Sequence, residues 1–412
     1  MKQSFLFTKT IKDLPKDESS YNAQILIQGG FIDKLGAGIY TFLPLGLRVL
    51  NKINNIIREE MERVGGQEIL MPALTPKDIW QKTDRWDNFD ALFKLLGSDN
   101  KEYALGATHE EVVTPLAQNF THSWRDLPLS IFQIQTKFRN EKRAKAGLIR
   151  GREFLMKDLY SFHSSEEDLN QYYEQLIKAY FKIFERLGLK DITYLTYASG
   201  GAFSPYSHEF QTLCSSGEDL IYICDKCSIA INQEIIDEQK ICPECGGSDF
   251  KEEKAVEVAN IFKLGTKFSK AFSLHYIDQA GEKQDVIMGC YGIGPSRVMG
   301  TIAEVCHDEK GVKWPREIAP FSIHLISLKE NESAEKIYQE LMSNNWEVLY
   351  DDRDNVSHGE KFADADLIGC PLRIVLSSKT LAKNQVELKF RDQDELIMLD
   401  IKELLDYLKK YV

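Results

Sequence analysis

KFRNEKRAKAGLIRGREFLMKD, residues 137–158, is the stretch that decides the fold of this 412-residue chain. Apolar and polar side chains alternate over residues 130–141, which predicts a strand with one apolar and one polar face. A short loop rich in lysine and arginine leads into a second predicted strand over residues 150–160. The two strands should therefore pair as an antiparallel hairpin. Residues 137–152 carry seven basic residues and a single acid, Glu141, so a solvated basic hairpin and a binding surface are both compatible with the composition.

Strand geometry brings several of these groups onto common faces. Arg139 and Glu141 share one face of the first predicted strand. Alternate residues share a face of the second strand: Arg150, Arg152, Phe154, Met156 and Asp158. Arginine binds phosphate oxygens bidentately, an aromatic ring stacks on a base, and a carboxylate can accept a hydrogen bond from an exocyclic amine. The surface therefore suits a nucleoside triphosphate, although the chain contains no P-loop signature.

Composition and charge narrow the class of protein. The chain is 43% apolar and 28% charged, with a net charge of −12, which argues against a protein that coats nucleic acid non-specifically. No apolar run is long enough to cross a bilayer, and residues 1–10 lack the apolar core of a signal peptide. These features predict a cytoplasmic protein of two or three domains, without a membrane partner, whose cysteines are reduced thiols or metal ligands.

Hydrophobic spacing predicts further elements on either side of the hairpin. A helix is predicted over residues 46–64, followed by a short strand over residues 68–74 that is interrupted at Pro72. Ser164 and Glu167 form a predicted capping box ahead of a long helix over residues 169–187.

Beyond Pro320 helices and strands alternate, which predicts a separate α/β module. Its predicted elements are a strand over 321–328, a helix over 334–344, and strands over 346–350 and 372–376. The fold class is therefore α+β, and the chain divides into four segments: the first part of a large body (1–221), a small insert (222–254), the second part of the body (255–318) and the C-terminal module (319–412).

Four cysteines in the insert have the spacing C-x₂-C-x₁₄-C-x₂-C: Cys224, Cys227, Cys242 and Cys245. Two closely spaced pairs of thiolates can complete a tetrahedral Zn²⁺ site, as in a zinc ribbon, and a full sulfur shell indicates a structural metal. Two reduced pairs without metal are the alternative. A zinc-ribbon adaptor for nucleic acid is a third interpretation, which the small size of the insert disfavours.

The motifs of the chain resemble those of class II aminoacyl-tRNA synthetases. Residues 65–72, FRNE at 138–141 and GIGPSR at 292–297 are similar to motifs 1, 2 and 3 of that class. Five further stretches resemble prolyl-tRNA synthetases of bacterial type: residues 108–111, 152–158, 207–210, 264–267 and 289–292. Each match is short, but their joint order is specific and spans almost the whole chain outside the insert. The resemblance implies a class II antiparallel-sheet catalytic domain, a zinc-ribbon-like insert and a C-terminal α/β anticodon-binding domain.

The resemblance also implies a reaction in which ATP activates L-proline for transfer to tRNA(Pro). Arg139 and Arg297 would be the catalytic arginines, and Glu257 would lie near Mg²⁺ or the ribose. The implied ATP-binding residues are Arg139, Glu141, Arg150, Phe154, Glu257 and Arg297. The implied proline-binding residues are Thr108, Glu110, Arg139, Asp158, His163 and Cys290. Activation needs no general base, because the carboxylate of proline is already ionised at neutral pH.

Several partners follow from the same resemblance. Motif 1 implies a homodimer, and the C-terminal module implies contacts of Arg353 and Lys361 with the anticodon loop. Residues 320–412 hold 12 basic and 18 acidic side chains, so recognition there should depend on local contacts. Residues 234–258 are too few to hold the large editing domain that bacterial enzymes of this family commonly carry at this position. The resemblance therefore implies no editing in cis, and a separate trans-editing protein if alanine is mischarged.

Two other functions compete with this one. An inactive synthetase-like paralogue that binds RNA or regulates a partner would be expected to lose the ATP-binding arginines, whereas Arg139, Arg150 and Arg297 are all present. A class II enzyme for threonine, serine or glycine is the nearest enzymatic rival. The Thr108 and Glu110 pair, together with the 289–292 motif, weighs against it.

Overall fold

The computed structural model describes residues 1–15 and 18–410. Over these residues the helices are α1 (Tyr21–Gln28), α2 (Pro44–Arg63), α3 (Lys77–Gln81), α4 (Arg85–Asn88), α5 (Glu110–Gln118), α6 (Glu166–Arg186), α7 (Lys267–Phe272), α8 (Pro295–Val305), α9 (Asn331–Ser343), α10 (His358–Ile368), α11 (Ser378–Leu381) and α12 (Leu404–Lys409). The strands up to the insert are β1 (Ile32–Gly36), β2 (Ile39–Phe42), β3 (Gln67–Glu68), β4 (Leu74–Pro76), β5 (Lys94–Leu96), β6 (Glu102–Leu105), β7 (Leu129–Phe138), β8 (Glu153–His163), β9 (Thr193–Ser199), β10 (Tyr206–Leu213), β11 (Asp219–Cys224) and β12 (Ala230–Asn232). The remaining strands are β13 (Phe250–Gly265), β14 (His275–Ile277), β15 (Lys283–Asp285), β16 (Ile287–Ile293), β17 (His307–Asp308), β18 (Gly311–Val312), β19 (Ile323–Leu328), β20 (Val348–Asp351), β21 (Leu372–Ser377), β22 (Gln385–Phe390) and β23 (Ile397–Asp400).

The chain forms two compact units that do not follow the order of the sequence. The small unit comprises Met1–Leu35, Tyr40–Lys52 and Ile302–Val412, and the large unit comprises Gly36–Ile39 and Ile53–Thr301. The N-terminal segment therefore groups with the C-terminal module, which no spacing in the sequence had indicated. No helix in the described ranges combines the length and the apolar character of a membrane span.

A nine-stranded sheet forms the centre of the large unit, with the strand order β10-β9-β12-β11-β13-β16-β8-β7-β3. The predicted hairpin lies within it: β7 and β8 pair antiparallel along their whole length, with Leu129 opposite Phe162 and Phe138 opposite Glu153. Beyond β8, first β16 and then β13 continue the antiparallel arrangement. The prediction of an antiparallel hairpin is confirmed.

The ends and the faces of the hairpin differ from the prediction. β7 ends before Arg139 and Glu141, and β8 begins only at Glu153, so these charged residues lie in or beside the connecting loop. The polar face of β7 is also not solvated, since Gln133 and Lys137 are both fully buried. Buried polar groups need internal partners. This face is therefore the wall of a polar site rather than a surface.

Helix α6 packs against the opposite face of the sheet with residues that recur at helical spacing, among them Leu169, Tyr173, Leu176, Tyr180 and Phe184. It begins after Ser165, whose hydroxyl accepts a hydrogen bond from the backbone N–H of Asp168. The predicted capping box at Ser164 and Glu167 is wrong by one residue. The cause is that β8 remains paired with β16 as far as His163, so the chain leaves the sheet later than expected.

The predicted strand over residues 68–74 is wrong, although the interruption predicted at Pro72 is present. Only β3 joins the large sheet, in parallel with β7, and β4 belongs to a separate three-stranded sheet with β5 and β6. Between β3 and β4, Pro72 has no amide hydrogen to donate to a ladder. The N–H of Met71 donates instead to the side chain of Gln133 at 3.0 Å.

The C-terminal part of the small unit has the predicted α/β arrangement. β19 pairs in parallel with β20 and β21, and β22 and β23 continue antiparallel from β21. Helices α9 and α12 contribute Leu341 and Leu404 to the core on one face of this sheet. Helix α10 contributes Ala365 to a smaller core on the other face.

Lys157 of β8 is buried against α6 with no carboxylate within ion-pair distance in the described part of the chain. Its Nζ donates to the hydroxyl of Tyr180 at 2.6 Å and to the backbone oxygen of Tyr291 at 3.0 Å. Burial lowers the pKa of Lys157 to about 7, whereas an unfolded lysine titrates near pH ~10.4. Between these two values the unfolded chain binds the additional proton. This residue therefore makes stability rise with pH from about 7 to about 10.

We expect the substitution Lys157→Met to remove this pH dependence. As the pH is raised from ~7 to ~9, wild type should gain stability relative to the variant by up to about 1.4 kcal/mol per pH unit. Thermal unfolding midpoints of both proteins across this range measure the difference. The control is Lys182→Met, whose side chain is 51% exposed on the same helix that covers Lys157 and which should follow wild type. Parallel profiles for wild type and Lys157→Met would contradict the expectation.

Candidate active site

Two adjoining cavities open on the polar side of the hairpin. The larger has a volume of about 410 Å³ and the smaller about 270 Å³. They share four lining residues: Arg139, Phe154, Glu257 and Arg297. The two cavities therefore form one continuous cleft, which we call the hairpin cleft.

The smaller cavity is lined by all six residues predicted to bind ATP: Arg139, Glu141, Arg150, Phe154, Glu257 and Arg297. Its three arginines lie immediately after β7, in the loop before β8 and at the start of α8. Three guanidinium groups in one cavity are suited to the oxygens of a polyphosphate.

Two of these arginines already have carboxylate partners. Arg297 donates to the backbone oxygen of Glu257 at 2.7 Å and pairs with its carboxylate at 2.9 Å. Arg150 pairs with Glu141 at 3.1 Å and also contacts Glu218. The side chains of Arg150 and Glu218 are 41% and 49% exposed, and ion pairs this accessible to solvent contribute little to stability. A phosphate could therefore replace Glu218 at Arg150 at small cost.

Arg139 has no carboxylate within ion-pair distance in the described residues. Its Nε donates to the backbone oxygen of Ala107 at a long 3.4 Å, and its guanidinium lies 5.3 Å from the centre of the Phe154 ring. Burial and the nearby charge of Arg297 lower the pKa of Arg139. A partly buried cation without an anion is unfavourable, so an anionic ligand would gain free energy by binding at Arg139.

The larger cavity contains most of the residues predicted to bind the amino acid. Thr108, Asp158 and Cys290 line it together with Arg139. Glu110 is fully buried directly behind this wall. Its carboxylate accepts hydrogen bonds from the hydroxyl of Thr108 at 2.5 Å and from the thiol of Cys290 at 3.2 Å. The wall therefore presents a hydroxyl and a thiol that are backed by a buried negative charge.

Asp158 is held by buried donors that the sequence reasoning missed. Nζ of Lys137 lies 2.7 Å from one carboxylate oxygen. The other oxygen accepts from Nε2 of Gln133 at 3.0 Å and from the hydroxyl of Tyr160 at 2.8 Å. Burial alone would raise the pKa of Asp158, but the charge of Lys137 keeps it below its usual value. Asp158 is thus a fixed negative charge in the wall of the cavity.

His109 completes this network as a neutral imidazole. Burial, with the adjacent charge of Lys137, lowers the pKa of His109 to about 4. Its Nδ1 accepts from Nζ of Lys137 at 2.7 Å, and its Nε2–H donates to the backbone oxygen of Pro72 at 3.0 Å. Strand alternation could have indicated Lys137, because it shares the polar face of β7 with Gln133. Nothing in the spacing indicated that this face is buried.

The prediction that His163 binds proline does not fit the structure. His163 is five residues beyond Asp158 on the same strand, and an odd spacing places the two side chains on opposite faces. His163 lies on the side of α6, with Nδ1 2.7 Å from Asp168 and Nε2 2.8 Å from the hydroxyl of Ser161. It lines neither cavity of the hairpin cleft. Its contacts anchor the first turn of α6.

An acidic pair also lines the hairpin cleft. Glu209 and Glu257 both accept from Nδ2 of Asn260, at 3.2 and 3.0 Å. Burial and the nearby charge of Glu257 raise the pKa of Glu209 to about 8. Carboxylates this close together favour a divalent cation with oxygen ligands, such as Mg²⁺. Glu209 belongs to the motif at residues 207–210, for which the sequence indicated no role.

The four cysteines of the insert form a compact cluster: the sulfur atoms of Cys224, Cys227, Cys242 and Cys245 all lie within 4.8 Å of one another. The Cys224 and Cys245 sulfurs are 3.5 Å apart, and the Cys227 and Cys242 sulfurs are 3.4 Å apart. Tetrahedral zinc with Zn–S bonds of about 2.3 Å requires sulfurs roughly 3.8 Å apart. The cluster therefore fits the ligand set of a structural zinc ion.

In the small unit, Arg353 and Lys361 have internal partners. Nζ of Lys361 is buried and donates to the backbone oxygens of Ser327 at 2.7 Å and Asp351 at 3.3 Å. The prediction that Lys361 contacts the anticodon loop does not fit the structure, because its buried ammonium group links β19 to β20 through these two hydrogen bonds. Arg353 donates to both carboxylate oxygens of Asp351, at 2.9 and 2.7 Å, and to Asp364 at 2.7 Å. Its side chain is only 15% exposed, so little of it remains for RNA.

Comparisons with known proteins agree with this geometry. A family model described as "tRNA synthetase class II core domain (G, H, P, S and T)" matches residues 93–306, and one described as "Anticodon binding domain" matches residues 318–411. A solved prolyl-tRNA synthetase of Giardia lamblia, in complex with prolyl-adenylate, is similar with a TM-score of 0.77 at 24% identity, over 92% of this chain and 73% of that chain. That of Cryptosporidium parvum has a TM-score of 0.76 at 20% identity, over 95% and 76%. Fold and cleft together define a class II tRNA synthetase.

Curated relatives at higher identity identify the amino acid. Proline–tRNA ligases of Moorella thermoacetica and Thermotoga maritima are 32% and 33% identical, over 96% and 100% of this chain and 96% and 98% of theirs. The chain belongs to the proline–tRNA ligase family, and its activity is that of a prolyl-tRNA synthetase. The two alignments extend over 551 and 569 positions, whereas this chain has 412 residues. It therefore lacks a large insertion that these relatives carry.

We expect the purified protein to contain one zinc ion per chain. Replacing one ligand, as in Cys242→Ser, should remove most of the metal and lower the thermal unfolding midpoint, because a structural zinc site stabilises the fold around it. Elemental analysis of the purified variants measures the zinc content. Cys306→Ser, which changes a cysteine outside the cluster, is the matched control and should keep its zinc. Equal zinc content in Cys242→Ser and wild type would contradict the assignment.

Proposed function

We propose that this chain forms prolyl-adenylate in the hairpin cleft and transfers the prolyl group to tRNA(Pro). The observation that carries the proposal is the convergence of Arg139, Arg150 and Arg297 on the smaller cavity of the cleft, beside the larger cavity, whose wall carries a fixed negative charge at Asp158. A cation-lined cavity suits the triphosphate of ATP and the carboxylate of an amino acid. The adjacent negative charge suits the secondary ammonium of proline.

In the proposed reaction the carboxylate of proline attacks the α-phosphate of ATP and displaces pyrophosphate. Arg139, which lines both cavities, stabilises the negative charge that develops on the α-phosphate and orients the carboxylate. Arg297 and Arg150 hold the outer phosphates, and Arg150 exchanges Glu218 for a phosphate when ATP binds. Positioning and charge stabilisation then suffice, because the attacking carboxylate is already ionised.

The remaining cleft residues have proposed binding roles. Phe154 stacks on adenine and Glu141 accepts from its exocyclic amine. Thr108 and Asp158 contact the ammonium of proline, with Glu110 contributing charge from behind the wall. Mg²⁺, held by Glu257 together with Glu209, would offset the charge of the phosphates.

We also propose a homodimer formed around motif 1. Leu70, at 74% exposure, lies within this motif, and Leu74 and Leu96 are 51% and 71% exposed on the small sheet that follows it. Large exposed apolar side chains in this stretch support an interface there. Four further expectations remain predictions: zinc in the insert, an anticodon contact that includes Arg353, the cytoplasmic location and a separate editing protein.

The substitution Arg139→Gln tests the proposed chemistry. We expect kcat/KM for proline-dependent exchange of pyrophosphate into ATP to fall about 10²- to 10³-fold, because one fixed charge at the reacting phosphate is lost. The control is Arg125→Gln, an exposed arginine that stacks on Trp124, and its exchange rate should stay within about twofold of wild type, as for an ordinary surface change. A fall of less than threefold at Arg139 would contradict the role.

The same assay separates the competing functions. An inactive paralogue would give no exchange with proline, and exchange with threonine, serine or glycine instead would indicate a rival class II enzyme.

The missing insertion supports a proposal about editing. The described part of the insert holds only the cysteine cluster and the short strands β11 and β12, which leaves no second domain between β11 and β13. Alanine is smaller than proline, and a pocket rejects a smaller analogue by only about 1–3 kcal/mol per missing methylene. The cleft should therefore charge some alanine, and this chain should not remove it.

We expect preformed alanyl-tRNA(Pro) to decay at the same rate with and without the enzyme. The half-life of the labelled ester at neutral pH measures this. A brief treatment with dilute base, which hydrolyses the ester, provides the positive control. Clearance of alanyl-tRNA faster than in buffer would show a hydrolytic site elsewhere in the chain.

A further inference from the structure

Arg85, from the short helix α4, is a buried charge for which the proposed chemistry has no use. Arg85 is only 5% exposed to solvent. NH1 lies 3.2 Å from a carboxylate oxygen of Glu110 and 3.2 Å from one of Glu111. Both glutamates are fully buried. One guanidinium therefore serves two carboxylates. Burial raises the pKa of Glu111 to about 7, so near neutral pH the three side chains together leave part of one negative charge uncompensated.

That residual charge lies directly behind the amino-acid cavity. The second glutamate, Glu111, has another partner, because its carboxylate also accepts a hydrogen bond from the hydroxyl of Thr83 at 2.8 Å. The carboxylate of Glu110 contacts Thr108 and Cys290, which line the cavity. A bound secondary ammonium would supply the missing positive charge at this wall.

Arg85 also contacts two aromatic residues that line the same cavity. Its guanidinium carbon lies 4.4 Å from the ring centre of Phe203 and 5.2 Å from that of Phe89, and both rings line the cavity. A third ring, Phe268 of α7, lies 4.9 Å away on the side of the core. NH2 makes a long 3.4 Å contact with the backbone oxygen of Ala202, in the same loop as Phe203.

These contacts require a planar, permanently charged group. A guanidinium can stack its faces on rings while its edge donates to carboxylates, and lysine can supply the charge but not the planar fork. From this geometry we propose that Arg85 is a positioning residue for proline. It holds Glu110 behind the ammonium site and fixes Phe203 as the facing wall, so that the cavity keeps the width of one small ring. The inference rests on the proposed role of Glu110 in binding the ammonium of proline.

The test is a comparison of Michaelis constants in the pyrophosphate-exchange assay. For Arg85→Gln we expect KM for proline to rise at least tenfold while KM for ATP stays within threefold of wild type. The KM for proline of Arg85→Lys should lie between those of wild type and Arg85→Gln, because lysine keeps the charge opposite the glutamates but loses the stacking. The matched control is Lys82→Gln, an exposed lysine in the same segment, which should behave as wild type.

L-Prolinol, which has the ring and amine of proline but no carboxylate, provides a second readout. Its inhibition constant should rise in the Arg85 variants by the same factor as KM for proline, since it uses only the ammonium site. A purely structural role would instead lower kcat, or raise both Michaelis constants together. Either of these outcomes in Arg85→Lys, or a KM for proline within threefold of wild type in Arg85→Gln, would overturn the proposal. If wild type itself gave no proline-dependent exchange, the proposed function would fail before the role of Arg85.

Discussion

The register in which β7 pairs with β8 determines which charged side chains meet in the hairpin cleft. Gln133 lies opposite Asp158 in this ladder, which brings the Asp158 carboxylate within reach of Gln133 and Lys137 on the neighbouring strand. Because side chains alternate, a slip of one residue would turn Asp158 toward α6 and Lys157 toward the cleft. The wall of the amino-acid cavity would then be cationic, and the cleft would no longer distinguish the two ends of an amino acid.

Charge compensation explains why this register can be maintained. Lys137 with Asp158 and Arg85 with Glu110 and Glu111 pair buried charges that would otherwise be costly. His109 is also buried but needs no ion pair, because it is a neutral imidazole that forms hydrogen bonds with Lys137 and with the backbone. Among the three arginines of the smaller cavity, Arg139 is the exception, because its charge is left for a ligand. The structure thus compensates the carboxylates behind the amino-acid cavity only in part and leaves the cation that is proposed to act on the substrate without an anion.

Much of the fold could be predicted from local patterns. The hairpin, the helix α6 and the C-terminal α/β module all have clear periodicity, and the cysteine spacing identified the cluster in the insert. The prediction failed where tertiary contacts override local signals. The interruption at Pro72 was predicted, but the strands on either side of it, β3 and β4, belong to two different sheets. The continued pairing of β8 with β16 moved the cap of α6 from Ser164 to Ser165.

The sequence by itself determined the elements, the family and most of the chemical groups of the cleft, because periodicity and motif order depend only on which residues follow one another. Only the tertiary structure decided which side each group faces and whether it is buried. It turned His163 away from the cavity, buried Lys361 between strands, and brought Arg85 from a distant short helix to Glu110. Burial and long-range contact depend on how elements pack together, and that information is not contained in the spacing along any single element.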